Sequence, residues 1–149
     1  SELVGKHLRD LRPARREELL DLIREPSFFR DLAPIQDSQR VIQRLSESFE
    51  VFITTAAMEF PTSFNAKYEW LREHFPFISE MNYVFCGDKS VIRADYLIDD
   101  NVRHFERFVG KALLFSAPHN MNVVGYDRLS SWAEAEAYFL GSAGNPKID

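Results

Sequence analysis

The run Tyr96-Leu97-Ile98-Asp99-Asp100 constrains this chain more than any other feature. Its apolar residues read as a short buried strand, and two carboxylates stand where that strand leaves the core. Adjacent carboxylates at a core edge are costly unless a cation, a hydrogen-bond network or a shared proton compensates them. Two other apolar runs end in polar groups of a complementary kind. Phe52-Ile53-Thr54-Thr55 runs into hydroxyls, and Cys86-Gly87-Asp88-Lys89 carries a strand into a turn that ends in a lysine. A hydroxyl, a lysine and a carboxylate pair, each ending an apolar strand, describe a site for a phosphate and a divalent cation.

The pattern around these runs alternates strand and helix. Strands are expected near 50–54, 82–86, 96–98 and 112–115, and helices near 63–74, 101–108 and 130–140. In the helix at 63–74, Phe64, Tyr68, Leu71 and Phe75 mark a buried stripe. Upstream, Pro13 opens a helix whose apolar side is Leu19, Leu20, Leu22 and Ile23, and Pro26 stops it. Ser27 to Leu32 reads as an irregular segment with paired aromatics. Asp37 or Ser38 caps a second helix carrying Val41, Ile42 and Leu45 at helical spacing. Short apolar strands separated by helices predict an α/β fold with a parallel sheet covered on both faces. Such sheets bind ligands at the carboxyl ends of their strands. Thr54, Thr55, Lys89, Asp99 and Asp100 all fall on that edge. No internal repeat or low-complexity tract is present, and the tail after Gly141 reads as a frayed end.

Composition narrows the partners. A chain of 149 residues can bury a real core. Its net charge of −5 argues against a nucleic-acid polymer as partner, because such binders present a basic face. A small phosphorylated substrate stays compatible, since one metal ion and one lysine can reverse the local field. The single cysteine, Cys86, excludes an internal disulfide and fits a reducing, cytoplasmic setting. Flanked by apolar residues, it reads as an inert buried thiol. No apolar stretch is long enough for a membrane helix, and the first residues carry no secretory pattern. The chain begins Ser1-Glu2-Leu3, without an initiator methionine.

Taken singly, each signal has an ordinary reading. Asp99-Asp100 can cap a helix before Asn101-Val102-Arg103. Thr54-Thr55 suits any strand, and Lys89 suits any solvated turn. Phe28 and Phe29 read first as core, and His119 in the loop Ser116-Ala117-Pro118-His119-Asn120 as structural. His7, His74 and His104 show no metal-ligand spacing. The signals gain weight together.

Together they resemble a known family. Thr55 after Val51-Phe52-Ile53, Lys89 after Gly87-Asp88, and Leu97-Ile98-Asp99-Asp100 are similar to motifs two, three and four of the haloacid dehalogenase superfamily. Pro26-Ser27-Phe28-Phe29-Arg30-Asp31-Leu32, Lys67-Tyr68-Glu69-Trp70-Leu71, Asp88-Lys89-Ser90 and Leu114-Phe115-Ser116-Ala117-Pro118-His119-Asn120 narrow the resemblance. They resemble the cytosolic and mitochondrial 5'(3')-deoxyribonucleotidases and their bacterial relatives, from about Pro26 to Trp132. The resemblance implies a haloacid-dehalogenase-like Rossmannoid sheet, with a small helical cap in residues 1–33 and an α/β core in residues 34–149.

It also implies a mechanism: a magnesium-dependent phosphatase that hydrolyses deoxyribonucleoside monophosphates through an aspartyl-phosphate. Thr55 and Lys89 would be catalytic and bind the phosphoryl oxygens. Ala56 would lie in the same phosphate loop, where the animal enzymes carry serine. Asp99 and Asp100 would hold Mg2+, and Phe28 and Phe29 would line the base. The expected partner is a small nucleotide, with no membrane and with a homodimer admitted. The rival readings are a phosphatase for another small phosphomonoester and a non-catalytic phosphate-binding domain of the same fold. The family's attacking Asp-x-Asp, which ends the central first strand, has no counterpart in the sequence. That predicts a piece of a longer protein, inactive alone, in preference to a catalytically dead relative, because a sheet without its middle strand leaves backbone groups unpaired.

Overall fold

The computed structural model describes residues 10–141, so His7 and the tail after Gly141 lie outside the described residues. Among the described residues, five strands, each paired in parallel, and five α-helices make an α/β arrangement. The chain divides into two compact units. One joins Asp88–Ser130 to the chain up to Arg24, and the other joins Glu25–Gly87 to the chain from Ser131 onward.

In the first unit, strands β3 (Tyr96–Asp99), β4 (Lys111–Phe115) and β5 (Asp127–Leu129) form a parallel sheet in that order. The register pairs Asp99 with Leu114 and Leu114 with Arg128, so these three residues share one row. Leu97, Phe105 and Leu114 make its core, with Val102, Phe108, Ala112 and Val123 packed around them. Gly110 opens β4 where only glycine fits, since a Cβ there would lie 2.3 Å from the Ala94 carbonyl oxygen. Helix α1 (Pro13–Arg24) forms as expected, but none of its residues is buried and Leu22 stays 52% exposed.

In the second unit, β1 (Ile53–Thr55) pairs in parallel with β2 (Tyr83–Phe85). Helices α2 (Pro26–Arg30), α3 (Ser38–Ser46), α4 (Phe64–His74) and α5 (Trp132–Leu140) complete it. Leu71, Phe75 and Ile78 form its core with Ile42, Val51, Ile53, Trp70, Phe77 and Tyr83. The expected stripe of α4 is therefore buried at Leu71 and Phe75 and half-buried at Phe64 and Tyr68. Ser131 caps α5 by accepting the Glu134 amide at 3.2 Å, a Ser-x-x-Glu start. Gly141 ends it at φ 73°, a left-handed angle that favours glycine. Helices α3 and α5 are joined by Arg40 and Arg44, which both pair with Glu136.

Four sequence expectations change. Residues 27–30 of the segment expected to be irregular are helical: Pro26 sits in the first turn of α2, so the proline that ends α1 also opens its successor. Residues 101–108 hold only a short turn, Val102–His104, instead of a helix. Asp99 accepts the Asn101 amide and Asn101 accepts the Arg103 amide, and such local bonds compete with helix formation. Asp37 occupies the cap position of α3 but makes no side-chain cap, because its φ of 63° lies outside the extended cap geometry. The strand β5 was not expected at all.

Leu113 is fully buried in β4, whereas Val109 is 99% exposed. Leu113→Ala is expected to cost about 2–5 kcal/mol in chemical denaturation, and Val109→Ala to stay within about 0.5 kcal/mol.

Candidate active site

Asp99 is the last residue of β3, and its side chain is only 4% exposed. A carboxylate so placed needs compensation from both sides, and it has it. Oδ2 accepts the Lys89 ammonium at 2.5 Å, and Oδ1 accepts the Asn101 amide at 2.8 Å. Lys89, itself 12% exposed at the side chain, belongs to the short turn Lys89–Val91. Asp88 builds that turn by accepting the Ser90 amide at 3.0 Å and the Ser90 hydroxyl at 2.5 Å, and it pairs with Arg107. The Ser90 bonds, aided by Arg107, hold the Asp88 carboxyl below the usual carboxylate range.

Asp100, one residue on, keeps 53% of its side chain exposed. Partial burial of its carboxyl and then the neighbouring Asp99 charge hold it above the usual range, against the pull of His119 and Lys89. His119 Nε2 donates to the Asp100 backbone oxygen at 3.0 Å and lies 3.7 Å from its carboxylate. Next to the pair, His104 is 3% exposed, and burial pushes its imidazole below the usual value despite Asp99. Asn120, which is 2% exposed, donates to the Asp100 carbonyl at 2.9 Å and to the Phe115 carbonyl at 2.8 Å.

Thr55, Ala56, Phe28 and Phe29 belong to the other unit. Thr55 ends β1, and its carbonyl accepts the Cys86 amide at 3.0 Å. Cys86 is half-buried, with its sulfur 3.7 Å from the Thr54 hydroxyl. Thr55 lines a hollow of about 230 Å³ with Phe29, Leu32, Ile53, Lys67 and Trp70. The Lys67 ammonium stands 4.2 Å from the centre of the Phe29 ring. Phe28 meets Phe29 edge-on at 5.1 Å, and Trp70 Nε1 donates to the Leu32 carbonyl at 2.6 Å. Of the two phenylalanines, Phe29 lines the hollow.

The sequence reading found Lys89, Asp99 and Asp100, which do come together. It passed over Asn120 and Arg128. Asn120 stands in a polar loop whose histidine drew attention instead. Arg128 sits in Asp127-Arg128-Leu129, a three-residue strand with one apolar position and therefore no readable alternation.

Two measurements follow. Lys89→Ala leaves Asp99 buried without its cation and is expected to cost about 3 kcal/mol of stability, the lower end for breaking a buried pair. For Asp100 the folded state holds its proton more tightly than the unfolded chain. Stability is therefore lost as pH rises from the unfolded carboxylate value through the raised folded one, and the loss persists at neutral pH. In metal-free buffer Asp100→Asn is expected to melt about a few degrees above wild type at pH 7. The gap should close below about pH 4, where both side chains are neutral.

Comparison with known proteins identifies the family. Residues 1–143 match the family model described as 5' nucleotidase, deoxy (pyrimidine), cytosolic type C protein. A Staphylococcus epidermidis protein, provisionally named a 5'(3')-deoxyribonucleotidase, is 45% identical over 137 residues, covering 92% of this chain and 76% of its own. A Staphylococcus aureus protein with the same provisional name is 46% identical over 138 residues, covering 93% and 77%. The 5'(3')-deoxyribonucleotidase of Bacillus subtilis is 46% identical over 113 residues, covering 76% of this chain and 66% of its own. The chain belongs to the cytosolic type C 5'(3')-deoxyribonucleotidase family of phosphoric monoester hydrolases.

Proposed function

We propose that the protein is a magnesium-dependent nucleotidase acting on deoxyribonucleoside monophosphates. The observation that carries this reading is the buried Lys89–Asp99 ion pair at the carboxyl end of β3, with Asp100 beside it. A lysine held at a carboxylate edge is poised to share its charge with a phosphoryl group. The relatives' shared name supports the substrate class.

The donor set fits a small hard cation. Among the described residues no cluster of three or more His, Cys, Asp or Glu side chains stands ready for a metal ion. Magnesium does not require one, since it takes one or two carboxylates and fills the rest with water and phosphate oxygens. Asp99 and Asp100 would hold it, with Asp100 the more open of the two. When bound, the ion supplies charge neutralisation at the phosphoryl oxygens.

The remaining roles are assigned to this chain's own groups. The Thr55 hydroxyl donates to a phosphoryl oxygen. Ala56, which has no hydroxyl, can offer only its backbone amide. Lys89 stabilises charge on the transferring group while keeping Asp99 ionised. Phe29, backed by Phe28, offers an apolar wall to the base. The chemical step in this reading is attack by the family's Asp-x-Asp carboxylate, which has no counterpart in residues 1–149. It forms an aspartyl-phosphate with loss of the nucleoside, and water then hydrolyses it. Residues 1–33 are assigned to a cap over a haloacid-dehalogenase-like core.

The full-length protein is expected to hydrolyse deoxynucleoside monophosphates with Mg2+ and to stop when the metal is chelated. Lys89→Ala should lower kcat/KM on the order of a hundredfold, and Lys89→Arg should restore only part of it, because guanidinium is broader than ammonium. Asp99→Asn should abolish magnesium-dependent turnover. Residues 1–149 alone should show none. Phe29→Leu should raise KM for nucleotides more than for a generic aryl phosphate. Equal turnover of all phosphomonoesters would point to a broader substrate class, and turnover by residues 1–149 alone would sink the assignment of the attack to an Asp-x-Asp that they lack.

A further inference from the structure

The geometry points to Asn120, held by Arg128, as a positioning residue that fixes the Asp99–Asp100 turn. Asn120 is 2% exposed, and every hydrogen-bonding direction of its amide is used. Nδ2 donates to the Asp100 carbonyl at 2.9 Å and to the Phe115 carbonyl at 2.8 Å. Oδ1 accepts the Ala117 amide at 3.1 Å and Arg128 Nη1 at 2.9 Å. One side chain thus ties the end of β3 to the end of β4.

Arg128 holds the clamp from β5. Nη2 donates to the Asn120 carbonyl at 3.1 Å and to the Val123 carbonyl at 2.7 Å, and Nη1 also reaches the Ser116 hydroxyl at 3.3 Å. A half-buried guanidinium here serves loop oxygens and an amide oxygen. The planar fork suits this task, because its donors are fixed relative to one another. The shared row of Asp99, Leu114 and Arg128 places the arginine level with the carboxylate edge, two strands away. The fully buried Leu114 stands between them in that row.

The consequence concerns Asp100. Its carboxyl is half-exposed, and the fixed points around it are backbone bonds. The Asn101 amide anchors the turn to Asp99 Oδ1, while Asn120 and His119 anchor it at the Asp100 carbonyl. Without Asn120 the Asp100 carbonyl keeps only its His119 bond to the loop after β4, and the separation of the two carboxylates is less firmly fixed. Partners of this kind around a metal-binding group typically change affinity by about 10–100-fold when removed. The inference rests on the proposed metal edge, but the fixing of the turn can be read without metal.

The experiment compares full-length wild type, Asn120→Ala and Arg128→Lys. In metal-free protein, exchange of the Asn101 amide is expected to quicken about tenfold in Asn120→Ala, a local opening without global unfolding. Calorimetric Mg2+ affinity is expected to fall about 10–100-fold in the same variant and less in Arg128→Lys. With Mg2+ limiting, kcat should fall while KM for a deoxynucleoside monophosphate changes little. A protein that binds Mg2+ must show both faster exchange and weaker affinity. Either one alone, or a lower Tm with neither, overturns the inference and leaves Asn120 a structural residue. If Asn120→Ala does not fold, Arg128→Lys is judged by the same two readings. If wild type binds no Mg2+, the functional reading falls, and the exchange of Asn101 alone decides the positioning role.

Discussion

A carboxylate 4% exposed at the end of a strand is the constraint from which the first unit's site follows. Ionised and alone, it would cost several kcal/mol. It is kept by a lysine and a backbone amide, and each of these dictates something further. The lysine must come from a turn that aims it inward, so Asp88 closes the turn through Ser90. The amide must come from Asn101, so the chain bends sharply after β3 and cannot run on as a helix. The next residue, Asp100, is thereby left with its carboxyl partly in solvent beside an ionised neighbour. The buried pair thus sets the local chain path and places the Asp100 carboxyl beside an ionised neighbour.

The second unit is organised by apolar packing in place of charge. Its hollow is walled by Phe29, Trp70 and Ile53 and touched by only two polar side chains, Thr55 and Lys67. Trp70 is fixed by its bond to the Leu32 carbonyl, so the chain leaving α2 is tied to α4. An apolar wall with few polar groups gives shape selection and little charge selection. On the proposed function, the Thr55 hydroxyl and the Lys67 ammonium are the groups of this lining left to meet the anionic part of a ligand.

How far the sequence disclosed this depended on the kind of force involved. The strands β3 and β4 were legible because Leu97, Leu113 and Leu114 are buried in continuous apolar runs. Asp99, Asp100 and Lys89 were legible because their chemistry is out of place at strand ends. The short helix α2 was hidden because five residues with two aromatics carry no period, and Pro26 was read only as a stop. The turn at 102–104 was hidden because side-chain to backbone bonds overrode the apolar spacing of Val102, Phe105 and Phe108. Asn120 was hidden for a different reason. Two of its four bonds, to the Asp100 carbonyl and to Arg128, reach residues that the pairing of strands brings near, and register is not written in any local window.

The charge balance of the first unit bears on what the site can accept. Lys89 answers Asp99, and Asp100 remains as one negative charge in excess among the three. Arg128 does not correct this, because its donors are turned to the loop after β4. Arg107 does not either, being paired with Asp88. A phosphate monoester approaching such a pair meets repulsion, and a chain of net charge −5 offers no general steering to offset it. A monovalent cation would only neutralise the excess, whereas a divalent one would reverse its sign. The raised Asp100 carboxyl registers the same imbalance from the protein's side. On the proposed function, the residues that look destabilising in isolation are the ones that would call for a divalent ion before an anionic substrate enters.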